Sequence, residues 1–254
     1  MSWREFWNSD TTIYVSDRHR QIHYRAVAKD IIGLLPRRGV NVLDFGCGDA
    51  LYADAIAESC GKLVLCDAAD TVRKRLAARF QSRPNVVVTS PEAAALSPDG
   101  SVDLIIVNSV IQYFTQAELD KWLGNWRRML SPNGCLVLGD VVPANVNPLV
   151  DASALLKFAL RNGFLVAATT GLVRTYFSNY RKTRAELGFL QFDEREFIER
   201  VERSGYAAKK HCKNLGHNHA RLTLLASPLE TCERPVVAAN VSSNVQMNGV
   251  EAHI

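Results

Sequence analysis

Val42-Leu43-Asp44-Phe45-Gly46-Cys47-Gly48-Asp49 is the stretch that decides the fold. It reads as an apolar strand that ends in an acid and runs into a turn with two glycines. Asp67 stands 23 residues after Asp44, at the end of a second apolar run, Leu63-Val64-Leu65-Cys66. A strand, a glycine turn and a second strand closed by an acid make up a nucleoside-binding unit. The glycines let backbone come close to the ligand, and the second acid hydrogen-bonds ribose hydroxyls.

The turn also separates two cofactor classes. A dinucleotide fingerprint carries three glycines, G-x-G-x-x-G, and seats a pyrophosphate on a helix N-terminus. Gly46 and Gly48 fit the first two places, but Leu51 holds the third and would crowd the helix–strand contact. Asp44 would repel a pyrophosphate and attract an ammonium or sulfonium. Both features argue against a nicotinamide dinucleotide. The pattern suits a cationic nucleoside with an amino-acid tail, and S-adenosylmethionine is such a molecule.

Two further stretches extend the reading. Asp103-Leu104-Ile105-Ile106-Val107-Asn108-Ser109-Val110-Ile111-Gln112-Tyr113-Phe114 is an apolar strand with polar residues at its end. Leu130-Ser131-Pro132-Asn133-Gly134-Cys135-Leu136-Val137-Leu138 is a turn into another strand. Together with Val42–Ala50 and Leu63–Asp67, and in this order, they resemble the motifs of the class I S-adenosylmethionine-dependent methyltransferases over residues 30–142. The resemblance implies a doubly wound α/β fold with a seven-stranded, mostly parallel sheet of order 3-2-1-4-5-7-6. In that fold the last strand is antiparallel, helices cover both faces, and a helical cap is inserted. It implies that Asp44, Gly46, Cys47 and Gly48 hold the methionine end, and that Asp67 with Ala68 meets the ribose. Asn108 and Ser109 would complete the cofactor contacts. Two positions depart from the family pattern. Ala50 stands where a third glycine is frequent, and Ser90 stands near the place of an acid that meets the adenine amino group.

The periodicity supports alternating strands and helices. Strands are expected at Asn41–Asp44, Leu63–Cys66, Val86–Val88, Val102–Asn108 and Cys135–Val141. Helices are expected at Arg18–Ile32, Ala50–Ser59, Ala69–Phe80 and Glu118–Leu130. Asp193 and Glu196 open a further helix in the form of a capping box. Ala207–Lys213 and Ala220–Ala226 suit the last two strands, joined across Leu215–His219. Asp44, Asp67, Ser90 and Asn108 then fall near the carboxyl ends of four strands, where open α/β sheets bind ligands.

Length and composition set outer limits. The chain has 254 residues, 47% of them hydrophobic, which is enough for one α/β domain with an accessory element. We divide it into an N-terminal helical arm (1–30), the main domain (31–228, with a helical insertion at 151–185) and a disordered tail (229–254). The six cysteines form no C-x-x-C pair and read as core residues of a reduced cytoplasm. Cys47 reads as loop packing rather than as a nucleophile. The start of the chain is mixed and charged, unlike a secretory signal. No apolar run of about 20 residues could span a bilayer. A net charge of +4 without a basic stripe argues against nucleic acid.

Residues 151–185 combine apolar side chains with Lys157, Arg161, Arg174, Arg181, Lys182 and Arg184. We read two helices here, broken near Gly163 or Gly171. Three uses stay open: a lid over a small apolar or lipid-like substrate, peripheral contact with an anionic membrane, and a homodimer contact. Methyl transfer from a sulfonium is an in-line displacement, so positioning and exclusion of water dominate. A base is needed only when the acceptor holds a proton of high pKa. His217, His219, Tyr113 and His23 are the catalytic candidates. His217 and His219 are spaced like metal ligands, but no third ligand is evident and no metal is expected. A binding protein of the same fold, without catalysis, is the rival reading.

Overall fold

The computed structural model describes residues 3–8, 14–144, 148–176 and 189–229. The expected tail beyond Leu229 and the last part of the insertion lie outside the described residues. Strands β1 (Asn41–Phe45), β2 (Lys62–Cys66), β3 (Val86–Thr89), β4 (Val102–Asn108), β5 (Leu130–Val141), β6 (Tyr206–Lys210) and β7 (Leu222–Pro228) form one sheet. Its order is β3-β2-β1-β4-β5-β7-β6. The β1, β2, β3, β4 and β5 pairings are parallel, and β7 runs antiparallel to both neighbours. This is the topology implied by the sequence motifs.

Helices α1 (Trp3–Asn8), α2 (Asp17–Leu34), α3 (Ala53–Ser59), α4 (Asp70–Phe80), α5 (Pro91–Ala94) and α6 (Gln116–Met129) follow in chain order. Then come α7 (Pro148–Asn162), α8 (Leu165–Tyr176) and α9 (Glu194–Arg203). The central strands are buried on both faces because helices cover both. On one side Leu119, Leu123 and Trp126 of α6 and Phe197 and Val201 of α9 pack against Leu43, Ile105 and Leu136. On the other, Ile31, Ile56, Leu76 and Phe80 meet Val42, Leu63 and Leu104. Alternate residues of each strand therefore enter different halves of the core, as the period-two geometry of a strand dictates.

Several boundaries differ from expectation, each for a local reason. Helix α6 starts two residues before Glu118, because Thr115 is its N-cap and Glu118 closes a complete capping box. At α9 Asp193 caps alone, accepting from the amides of Arg195 and Glu196. Strand β5 already pairs at Leu130, with the Ser131–Gly134 segment absorbed by a register shift opposite Val102–Leu104. The break in the insertion is at Gly163, where φ is +72°. Strand β6 ends at Lys210 and β7 begins at Leu222, so their connection is longer than expected. Buried Asn214 and Thr223 hydrogen-bond each other there and hold the connection against the sheet.

The helix pair α7–α8 has its own small core of Ala159, Phe164 and Ala168, joined by Val15 and Ile22 from the N-terminal arm. The arm and the insertion thus pack as one layer. Asp151 pins that layer to the β6–β7 connection, accepting from Arg221 at 2.6 Å and from Asn218 at 2.8 Å.

Candidate cofactor and acceptor site

The glycine turn crosses the end of β2. The amides of Gly46 and Cys47 both donate to the Cys66 carbonyl, at 2.7 and 3.1 Å. Gly46 has φ +77° and Gly48 φ +56°, which L side chains rarely adopt. Sterics add a second reason. A Cβ on Gly46 would collide with Val110, and one on Gly48 would lie 2.6 Å from the Tyr24 hydroxyl. The turn is therefore closed over by Val110 from the β4 side and by Tyr24 from the arm.

Asp67 is 9% exposed and holds this turn directly. Its carboxylate accepts from the Gly48 amide at 3.0 Å and from the Ala69 amide at 2.8 Å. Burial raises its pKa, against those two hydrogen bonds, which lower it. Asp44 is partly buried one residue before the end of β1. Burial, and then the Asp67 charge, push its carboxyl up to about 7. Among the described residues Asp44 has no ion-pair partner. Asp49 differs: Arg75 and Arg20 lie 3.2 and 3.5 Å from it. Cys47 is buried, and burial raises its thiol well above the usual range, which leaves it protonated and inert.

The remaining expected contacts sit on the same edge with local duties. Ala68, half-buried, gives its carbonyl to Arg73 at 2.8 Å. Ser90 caps α5, its hydroxyl accepting from the Ala93 amide at 3.3 Å. Asn108 keeps a buried Oδ1 without a partner. Ser109, at φ +58°, donates its hydroxyl to Asp140 at 2.7 Å.

Asp140 is the residue that the motifs did not single out. Between Leu138 and Val141, β5 advances three residues while β7 advances two, from Leu224 to Leu222. The extra residue is a β-bulge, and Asp140 sits there at φ +56°. The bulge turns its carboxylate toward Ser109 and Asn214, whose amide lies 3.2 Å away. Burial raises the Asp140 pKa, while Arg221 and those hydrogen bonds lower it. Two non-glycine residues thus lie in the left-handed region side by side at the ends of β4 and β5, a conformation that costs free energy.

Beyond the glycine turn lies a second group of polar rings. The Tyr24 hydroxyl accepts from the Asp49 amide at 2.9 Å. Its ring lies 5.4 Å from His23 and 5.8 Å from Tyr14. His19, His23 and His217 stand 5.8–6.4 Å apart, centre to centre. Phe158 lies flat on His217 at 4.3 Å, and Phe164 on His19 at 5.2 Å. Burial is the main cause that lowers all three histidines, to about 4, 3 and 4. It also raises Tyr14 to about 12. The structure thus joins two of the expected catalytic candidates, His23 and His217, with His19, which the sequence places beside His23 on the arm. His219 is exposed, and Tyr113 packs edge-on against Trp7 and Phe189. Sequence spacing offered one signal for the cluster, His19 and His23 at i, i+4 on one helix face. His217 came from a segment almost 200 residues away.

Comparisons with known proteins bear on the fold and on the domain that carries the glycine turn. A family model described as "Methyltransferase domain" matches residues 43–136. Nodulation protein S of Rhizobium tropici is 27% identical over 140 residues, which is 55% of this chain and 56% of that one. Phosphoethanolamine N-methyltransferase 1 of Triticum aestivum is 28% identical over 112 residues, 41% of this chain and 22% of that one. The chain spans little more than half the length of the Rhizobium relative and less than a quarter of the wheat one. Among solved structures, magnesium protoporphyrin IX methyltransferase from Synechocystis PCC 6803 with bound SAH superposes with a TM-score of 0.54 at 15% identity. That match covers 89% of this chain and 92% of the other. Residues 43–136 thus match a methyltransferase domain, and the sheet order around them is the one that the resemblance to the class I S-adenosylmethionine-dependent methyltransferases implies.

Proposed function

We propose that the protein transfers a methyl group from S-adenosylmethionine to a small, apolar or lipid-like molecule. The single observation that carries this is Asp44, a carboxylate beside the glycine turn that is raised to about 7 and has no ion-pair partner among the described residues. A cation that comes to rest there removes the cost of ionising it. Gly46, Cys47 and Gly48 would line the methionine end. Asp67, with Ala68 beside it, would meet the ribose through carboxylate lone pairs that the Gly48 and Ala69 amides leave open. Ser90, Asn108 and Ser109, at the same edge of the sheet, would complete the cofactor contacts. Bound there, the sulfonium supplies an activated methyl. The chain's own work is to orient the acceptor and keep water out.

The arm and the α7–α8 pair would cover the acceptor. The test is transfer from radiolabelled S-adenosylmethionine by the purified protein to a small-molecule extract. Label in an extractable product supports the reading. Tight binding of the donor with no labelled product would leave a non-catalytic binding protein.

One observation favours a membrane-surface version. Leu149, Val150, Leu160, Leu165, Val166 and Val173 are exposed on α7 and α8, with Lys157 and Arg161 also exposed. Apolar side chains with cations suit an anionic lipid surface. No helix among the described residues is long and apolar enough to cross a membrane. Co-sedimentation with phosphatidylglycerol vesicles, lost on changing Leu160 and Val166 to serine, would support it. Equal recovery with and without vesicles would dismiss it. A self-association reading of the same face predicts a concentration-dependent mass that the serine changes abolish.

A further inference from the structure

We propose that His19, His23 and His217 form the acceptor-binding end of the site and receive a group that both donates and accepts a hydrogen bond, a hydroxyl or a neutral amine. This rests on the cofactor reading above and deepens it.

The three rings come from two distant segments, α2 and the β6–β7 connection, and meet beside Tyr24, which touches the glycine turn. Each ring keeps one buried nitrogen without a partner: His19 Nε2, His23 Nδ1 and His217 Nδ1. Buried polar atoms are almost always satisfied, so three orphans within one cluster point to a missing partner. His19 is 6% exposed, so bulk water does not serve its nitrogen.

The tautomer of His19 narrows the chemistry. Its Nδ1 accepts from the Val15 amide at 3.4 Å. A neutral imidazole has one donor and one acceptor, so His19 Nε2 carries the hydrogen and needs an acceptor. His23 and His217 sit opposite and can offer a lone pair. His19 Nε2, as a donor, excludes an ammonium, and a group that both donates and accepts serves His23 and His217 in either tautomer. A hydroxyl or a neutral amine satisfies both kinds.

The surroundings fit an apolar molecule that carries one such group. Phe158, Phe164 and Tyr14 wall the rings. Phe158 and Phe164 ride on the helix pair, so entry requires α7 and α8 to move outward.

The experiment uses protein with 15N-labelled histidine, saturated with S-adenosylhomocysteine, and three probes of similar size. Phenol donates and accepts, anisole only accepts, and toluene does neither. Long-range proton–nitrogen spectra should show phenol shifting ring nitrogens of at least two of the three histidines, saturably. Anisole and toluene should act at least tenfold more weakly. His217→Phe should abolish the phenol response of His19 and His23 while the affinity for S-adenosylhomocysteine stays within twofold. His23→Gln, with the same expectation, serves if the first variant does not fold. Rings unmoved by phenol, or moved equally by toluene or anisole, would overturn the inference. Calorimetry on the same wild-type sample separates the two readings: no binding of S-adenosylhomocysteine sinks the cofactor assignment instead.

Discussion

Asp44 and Asp67 divide the work of the cofactor edge, and each has its own test. Asp44 is raised to about 7, so the ligand-free protein holds that proton longer than the unfolded chain does. Its own contribution to stability is present below about pH 4 and is lost as pH rises through about 7. A bound cation favours the ionised form. The affinity for S-adenosylmethionine should therefore climb by up to tenfold per pH unit below about 7 and level off above, with proton release on binding. Calorimetry in buffers of different ionisation enthalpy checks this, and Asp44→Asn should flatten the profile and weaken binding about tenfold. Asp67 is also structural. From its sequence position alone, Asp67→Ala is expected to weaken binding with little loss of fold. In the structure its carboxylate holds two backbone amides, so the alanine variant should also lose about 2–4 kcal/mol of stability. Asp67→Asn keeps an acceptor and separates the two effects: an unchanged melting temperature with weaker binding assigns the residue to the ligand.

At the scale of elements, the close approach of β4 and β5 makes a sharp demand. A Cβ on Gly139 would lie 2.5 Å from Asn108 Oδ1. Gly139→Ala should cost about 1–3 kcal/mol by chemical denaturation, because the neighbour to be displaced is a buried amide at the end of β4. The helix pair α7–α8 is joined to the rest of the fold by polar ties as well as by its apolar contacts. Asp151 joins it to Arg221 and Asn218, and Arg18 donates to the Asn162 carbonyl at 2.5 Å. Asp151→Ala should raise amide exchange across residues 148–162 while the central strands keep their protection. Equal protection in both proteins would show that the pair is held by its apolar contacts alone. The repeating strands and helices were legible because burial on both faces leaves unbroken apolar runs, as in Leu104-Ile105-Ile106-Val107. The bulge at Asp140 was not, because one extra residue in a strand leaves no mark on hydrophobic periodicity.

For the molecule as a whole, the histidine cluster ties the arm, the insertion and the β6–β7 connection together. Its rings are held at about 4, 3 and 4, below the ordinary 6.5, chiefly by burial. Lowered histidines contribute stability that is complete above about 6.5 and is lost as pH falls toward 4, since the unfolded chain takes up the protons first. Each ring should withdraw roughly 1–2 kcal/mol between pH 7 and pH 5. The raised Asp44 works in the opposite direction over part of that range, so the comparison must isolate the rings. The gap in melting temperature between wild type and His217→Phe should narrow as pH drops from 7 to 5. A constant gap would mean that His217 charges without penalty in the folded state.

Sequence alone settled the sheet, the glycine turn and the cofactor class, because each depends on residues near one another in the chain. Alternation, turn glycines and an acid at a strand end act within a few residues, and their order fixes the winding. Tertiary structure decided everything that depends on distant segments. It gave Tyr24 to the glycine turn, bound Asp67 to the amides of that turn, folded Asp140 back onto Ser109, and brought His217 to His19 and His23. Those contacts arise where strand ends, arm and insertion converge at one edge, and pairwise burial between remote segments leaves no periodic trace in the chain.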